Sequence, residues 1–420
     1  MTTPNRRQFL SAAAALSLGR PVRAVAGEKL KIGVIGCGWY GMVDLDAAFR
    51  AGGVEAVALC DVDSLHLSES AEAVEKRQGT RPKTYKHHRE LLDTPGLDAV
   101  IIATPPQWHA LQLIDACRKR LHIYCEKPLA YDIREGRAMV DAAKKSGAVV
   151  QIGFQRRHSE MLREAARYIR GGNAGRIVQV DANIHFTAGT PDPTPQDPPA
   201  SLDWDLWCGP APKLPYSPAI GHKSWRLEAN YGNGHLVDWG IHLIDAVRVA
   251  LGETTPKSVT ATGGLYQLNG KITTPDTLTV NFEFDRCPVV WRHRLWGAAE
   301  YTPETKNGIT FFGERETLFV TDNRMVVIPQ KGERRITEIK SDAGLLHMQD
   351  FLEAVRKKRQ PACLPEDGFH STTTVQLAMI SYRAGTRVDW DPTREQITNS
   401  TAAAKLLMRD YRAPYKHPGA

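Results

Sequence analysis

The stretch KLKIGVIGCGWYG, residues 29–41, restricts the fold more than any other part of the chain. An apolar run rich in β-branched residues leads straight into Gly36-Cys37-Gly38-Trp39-Tyr40-Gly41, and a helical pattern follows over 39–51. A buried parallel strand that turns through glycines into a helix has this form. A second strand pattern, VEAVALCD, ends in Asp61, twenty residues beyond Gly41. Strand, glycine turn, helix, strand and acid in that order make a dinucleotide-binding unit. Gly36, Gly38 and Gly41 let the backbone approach a pyrophosphate, and Trp39 and Tyr40 open the helix whose N-terminus faces it. Asp61 is placed to bind the adenosine ribose hydroxyls. Its carboxylate would repel a 2′-phosphate, so the expected cofactor is NAD rather than NADP.

The alternation continues, with strands expected at 98–105, 122–128 and 149–154 and helices at 107–120 and 133–147. Strand C-termini in such a sheet face the ligand crevice. Two of them carry unusual groups: Thr104-Pro105 followed by His109, and Glu126-Lys127-Pro128. All of these except Pro128 are taken as cofactor contacts, and the nucleotide-binding domain as residues 29–152.

A chain of 420 residues suggests more than one domain. From about 176 onward strand patterns dominate, among them RIVQVDANI, DTLTVNFEF and PVVWRHRLW, with one main helix over 235–250. Residues 153–345 are read as a second domain. Helices over 345–360 and 367–385 begin a C-terminal part, 346–420, that packs back on the first domain. The Pro-, Asp- and Trp-rich segment 186–225 is expected to wall a substrate cleft. The net charge of +7 is mild, and its basic residues are scattered, which argues against nucleic acid. No apolar run approaches the roughly 18–20 residues of a membrane span. Seven cysteines without a CxxC suggest neither a disulfide framework nor a catalytic thiol.

At the N-terminus, Arg6-Arg7 precede a short Ala/Leu/Ser run and the small-residue pattern Ala24-Val25-Ala26. Residues 1–26 resemble a twin-arginine export signal, which implies a periplasmic or otherwise exported protein. That route carries folded proteins and suits one that takes up a cofactor first.

Residues 234–245, GHLVDWGIHLID, place His235, Asp238, His242 and Asp245 at steps of three, four and three, one stripe of a helix. Alone, this stripe reads as a metal site, a proton-transfer pair or a buried polar seam. No HExxH accompanies it, and no metal is expected there.

The segments GCGWYG, ATPPQWH, YCEKPLA, GFQRRH, DWDLWCGPAP and GNGHLVDWGIHLID together resemble the glucose–fructose oxidoreductase, inositol dehydrogenase and rhizopine-catabolism family, Gfo/Idh/MocA. The C-terminal segment 388–415 resembles its secreted branch. The resemblance implies an α/β protein with an N-terminal Rossmann domain and a C-terminal α+β domain built on a large, mostly antiparallel open sheet. It implies Lys127, Asp238 and His242 as the groups that handle the proton during hydride transfer. Arg156 and His158, just after the sixth strand, are candidate sugar or nicotinamide contacts, and Trp204, Trp207 and Trp225 could stack on a sugar face. His235 departs from many relatives; it is assigned to the substrate cleft without a defined role.

The reading that results is an exported NAD-dependent oxidoreductase of a sugar or sugar derivative, with its cofactor retained. One alternative is an NAD-retaining glycoside hydrolase that works by transient oxidation and elimination. Another is a non-catalytic sugar-binding protein on the same fold. A homodimer or homotetramer is what the resemblance implies.

Overall fold

The computed structural model describes residues 29–298 and 306–420, and the segment read as an export signal lies outside them. Strands β1 (Leu30–Ile35), β2 (Val54–Cys60), β3 (Lys83–Tyr85), β4 (Ala99–Ile102), β5 (His122–Glu126) and β6 (Val150–Gly153) form one sheet in the order β3-β2-β1-β4-β5-β6. Every pairing is parallel. Ile32, Val34, Leu59, Ile101 and Ile123 are fully buried, as strands covered by helices on both faces require. The order reverses between β1 and β4, which opens a crevice at the strand C-termini.

Two of these strands stop short of the limits expected from sequence, β4 at Ile102 and β5 at Glu126. Pro105 and Pro128 follow, and a proline has no N–H with which to extend a ladder. The sequence reading passed over β3, an edge strand whose three residues are exposed or half-buried and so carry no apolar pattern. It also passed over the helix Ser64–Gln78, whose buried residues are only Ser70, Ala71 and Val74.

The second sheet contains β7 (Ile177–His185), β8 (Ser258–Gly264), β9 (Thr277–Glu283), β10 (Pro288–Arg294), β11 (Asn307–Gly313), β12 (Glu316–Val320), β13 (Arg324–Pro329), β14 (Arg335–Glu338), β15 (Val388–Asp391) and β16 (Gln396–Ile397). Their order is β14-β13-β12-β11-β7-β10-β9-β8-β15-β16. Only β7 and β10 pair in parallel. Along β9, Leu278, Val280 and Phe282 are buried, while Asn281 and Glu283 are exposed. One face is therefore covered and the other open. No helix among the described residues is long and apolar enough to cross a membrane, and all seven cysteines are free and buried.

The last part of the chain completes the first domain. The helix Ala343–Lys357 inserts Met348, Phe351, Leu352 and Val355 into the core made by Leu45, Ala48 and Tyr124. The helix Ile133–Ser146 begins with a capping box, Asp132 with Glu135, and Glu135 has no exposed surface. That carboxylate is neutralised by Arg409 at 2.9 Å and accepts a hydrogen bond from the Tyr411 hydroxyl at 2.8 Å. His417 adds a contact to Asp132 at 3.0 Å.

His158 was expected at the substrate, and the structure corrects this. Its Nδ1 lies 2.9 Å from Nδ1 of His347, and Nε2 of His347 lies 2.9 Å from the Ile152 carbonyl. A carbonyl only accepts, so Nε2 of His347 carries the proton and its Nδ1 accepts from His158. Burial pushes His158 down to about 4 and His347 to about 3. The pair is a neutral seam between β6 and the helix 343–357.

Two outcomes are expected. Arg409→Ala takes the paired cation from the buried Glu135 and should cost about 3–5 kcal/mol in denaturant unfolding. Buried histidines with lowered pKa values bind fewer protons folded than unfolded. Stability should therefore fall as pH drops from about 6.5 to 5, by up to ~1.4 kcal/mol per pH unit for each histidine. A flat unfolding midpoint over that range would contradict the assignment.

Candidate active site

A cavity of about 500 Å³ opens above the ends of β1, β2 and β4, and its wall includes Gly36, Gly38, Trp39, Tyr40, Asp61, Thr104 and Pro105. Gly36 has φ +93°, and a Cβ there would lie 2.9 Å from the Ala103 carbonyl group. A Cβ on Gly41 would stand 2.0 Å from the Gly36 oxygen, so only glycine lets the helix start this close to the turn. Asp61 accepts the Cys37 N–H at 2.6 Å and the Asp63 N–H at 2.9 Å. Burial outweighs these bonds and raises its pKa. A glycine cradle with an acid at the end of β2 fits a dinucleotide: Gly36, Gly38 and Tyr40 would hold the pyrophosphate end and Asp61 the adenosine ribose.

His109 is not on that wall. Its Nδ1 lies 2.9 Å from the Pro128 carbonyl and its Nε2 2.8 Å from that of Thr104. It ties the loops after β4 and β5 together, so it positions cofactor-facing residues and offers no free nitrogen. Glu126 is likewise enclosed. It accepts from Gln155 Nε2 at 2.5 Å and from the Lys127 N–H at 3.3 Å, and burial raises it to about 7.

Lys127 reaches the second domain, where its Nζ donates to the Asp238 carbonyl at 2.8 Å and to Oδ1 at 2.9 Å. Arg226 approaches Oδ2 of the same carboxylate at 3.0 Å. Burial acts to raise the Asp238 pKa, but Lys127 and Arg226 outweigh it and hold the group below its usual value. The helix expected over 235–250 divides here into a π turn, Leu236–Gly240, and the α-helix Ile241–Leu251. Such turns recur at functional sites. Gly240 lets this segment pack on Trp291, since a Cβ would stand 2.7 Å from that ring.

The four stripe residues have separate partners. Asp238 meets Lys127 and Arg226, and Asp245 holds Arg157 at 2.7 Å and accepts from Ser371 at 2.6 Å. His242 Nδ1 is buried without a hydrogen-bond partner, and burial, then Lys127 and Arg156, push its pKa well below 6.5. His235 lies against Phe186 (4.9 Å) and His293 (5.2 Å), with Nε2 unpartnered. It lines a second cavity of about 260 Å³ together with Phe186, Arg226, Asp238 and Trp239. Lys223, Ser224 and Arg226 border both cavities.

Trp225 lies on the cofactor-cavity wall, and Arg226 stacks on its ring at 4.5 Å. Trp204 and Trp207 stack on each other at 4.6 Å and pack on Tyr216 and Tyr231, as the core of their own loop. Arg156 pairs with Asp322 at 3.0 Å and lines a different cavity with Arg157 and Arg163. Arg226 escaped sequence reading; the signal was its place beside Trp225 in the tryptophan-rich loop.

That loop also closes over the adenosine side of the cleft. Ser64 N–H donates to the Ser201 carbonyl at 2.9 Å, Asp203 N–H to that of Val62 at 3.0 Å, and His222 Nε2 lies 2.9 Å from Asp63. Lys86 forms an ion pair with Asp203.

A glycine-cradled nucleotide cleft that shares Lys223, Ser224 and Arg226 with the cavity lined by Asp238 fits an NAD-dependent oxidoreductase; Lys127 and His242 lie behind these walls, beside Asp238. Residues 30–154 match the family model described as "Oxidoreductase family, NAD-binding Rossmann fold", and 182–417 match its "C-terminal alpha/beta domain". The chain belongs to the Gfo/Idh/MocA family. It is 25% identical over 353 residues to myo-inositol 2-dehydrogenase of Thermotoga maritima, covering 81% of this chain and 92% of that one. It is 28% identical over 209 residues to a glycosyl hydrolase family 109 protein of Stenotrophomonas maltophilia, a match that spans 46% of each. Among solved structures, levoglucosan dehydrogenase with NADH and levoglucosan has a TM-score of 0.68 at 20% identity, covering 86% of this chain and 99% of that one. Aldose-aldose oxidoreductase from Caulobacter crescentus, complexed with glycerol, gives the same score, identity and coverage. These two show the fold.

Asp61→Ala should weaken NAD binding and shift the preference toward NADP by at least about tenfold, ~1.4 kcal/mol, measured as the ratio of dissociation constants by isothermal titration.

Proposed function

We propose that the chain oxidises a carbinol of a sugar or sugar derivative, with His242 as proton acceptor and the Lys127 ammonium holding the substrate oxygen. The observation that carries this is a buried imidazole with an unpartnered nitrogen, set one turn from the Lys127–Asp238–Arg226 cluster. When bound, NAD supplies the hydride acceptor. A base must be neutral to take a proton, and burial with adjacent cations keeps His242 neutral. The cluster holds two cations against one carboxylate, a balance that favours negative charge on a nearby oxygen as the hydroxyl proton leaves. His235 and Phe186 wall the cavity in which a sugar ring would lie.

The names of myo-inositol 2-dehydrogenase and levoglucosan dehydrogenase support a polyol or sugar substrate. The twin-arginine pattern supports export, and the open face of the ten-stranded sheet is where a second copy would pair. A loop closed over the cleft supports a cofactor that stays bound between turnovers. Retention also suits a second reading, redox-neutral cleavage of a glycoside, which the family 109 glycosyl hydrolase relatives favour.

Nicotinamide absorbance followed while sugars and glycosides are added separates the two. Lasting reduction marks a dehydrogenase, and reduction that recovers with release of sugar marks a hydrolase. Denatured protein that releases no nucleotide would end the retention reading. Lys127→Met should lower kcat about 10²–10⁴-fold, while a sugar-binding protein would keep its full affinity. Oxidation should hold through neutral pH and fall only below about 6.5, because His242 titrates under the ordinary imidazole range. In His242→Asn that acid limb should vanish with most of the rate.

A further inference from the structure

Asp63, His66 and His222 converge on the rim of the cofactor cleft, remote in sequence from the groups that handle the proton. Asp63 is 3% exposed and caps the helix Ser64–Gln78, its Oδ1 accepting the Leu65 N–H at 3.0 Å. Its Oδ2 lies 2.9 Å from His222 Nε2 and 3.8 Å from His66 Nδ1. Among the described residues no lysine or arginine pairs with this carboxylate, unlike Glu135, which Arg409 neutralises. A cluster at Asp132, Glu135 and His417 has similar donor types, but Arg409 already supplies its cation.

We infer that Asp63, His66 and His222 form a binding site for a divalent transition-metal ion of the zinc type. Zinc with ligand bonds of roughly 2.0–2.1 Å places its ligand atoms about 3.3–3.4 Å apart. The two separations from the carboxylate fall on either side of that edge, and the third, between the imidazoles, is within 4.8 Å, so side-chain shifts of up to about 1.5 Å would complete the face of a tetrahedron. Two imidazoles and one carboxylate suit zinc, and the Leu65 N–H orients the carboxylate as an outer hydrogen bond does in built sites. His222 has φ +45°, the left-handed region that histidine enters more readily than most side chains. That conformation turns the imidazole of a second-domain loop onto the carboxylate of the first domain. All three side chains line the cleft, so a fourth coordination position faces the space that the adenosine half of NAD would enter. The ion fastens the loop 201–222 to the nucleotide-binding domain and slows escape of the cofactor.

The test uses untagged full-length protein, treated with a chelator and then titrated with Co²⁺. Expected are the visible absorption of tetrahedral cobalt at one ion per chain, its loss on adding Zn²⁺, and nucleotide release that is at least about tenfold faster without metal. His66→Gln with His222→Gln should weaken cobalt binding at least about 100-fold while the metal-free variant still unfolds in one cooperative thermal transition. Absence of the cobalt band, or its persistence in the double variant, overturns the site. A band without any change in nucleotide release overturns the fastening role. None of these readouts depends on which sugar is turned over.

Discussion

The ion pair between Lys127 and Asp238 joins the end of β5 to the π turn of the second domain, and the remaining site geometry depends on it. Both groups are almost fully removed from water, with side-chain exposures of 14% and 4%. Removing Asp238 would leave Lys127 and Arg226 close together without their counter-charge, a cost of several kcal/mol. Arg226 makes the cluster a trio with an excess of positive charge. An excess cation in a dry cleft is expensive alone; in the proposed reaction it would be offset as a substrate oxygen gains negative charge beside it. The arrangement thus spends stability where chemistry recovers it.

The cofactor side of this site was legible in the sequence because its signals are local. Gly36, Gly38, Gly41 and Asp61 carry their meaning within about one βαβ unit, and the apolar runs of β1, β2 and β4 need no partner to be recognised. Limits were wrong where prolines ended strands early, and β3 was missed because three exposed residues have no period to read. On the substrate side the striped helix fits several chemistries equally, and only family resemblance singled out Asp238 and His242.

Long-range partnerships were not legible. His158 looked like a ligand contact because its partner, His347, stands 189 residues away. Trp204 and Trp207 fitted a sugar platform and core packing equally from sequence; they pack with Tyr216 and Tyr231, and Trp207 also lines the cofactor cavity. Arg226 gained a role only from Asp238 across the cleft, and His235 only from Phe186 and the cavity they share. In each case the residue type was visible and the geometry that decides its function was not.

The first domain borrows its final pieces from the other end of the chain. The core beneath helix Tyr40–Ala51 is filled by Phe351 and Leu352, and the charge of Glu135 is balanced by Arg409. A ribosome that has finished the six parallel strands has therefore not finished the domain they belong to. The apolar groove closes only once residues 343–357 have emerged, and the buried acid is paired only with Arg409. The first domain therefore completes only after most of the second has been made, and its unfilled groove is apolar surface exposed in the meantime.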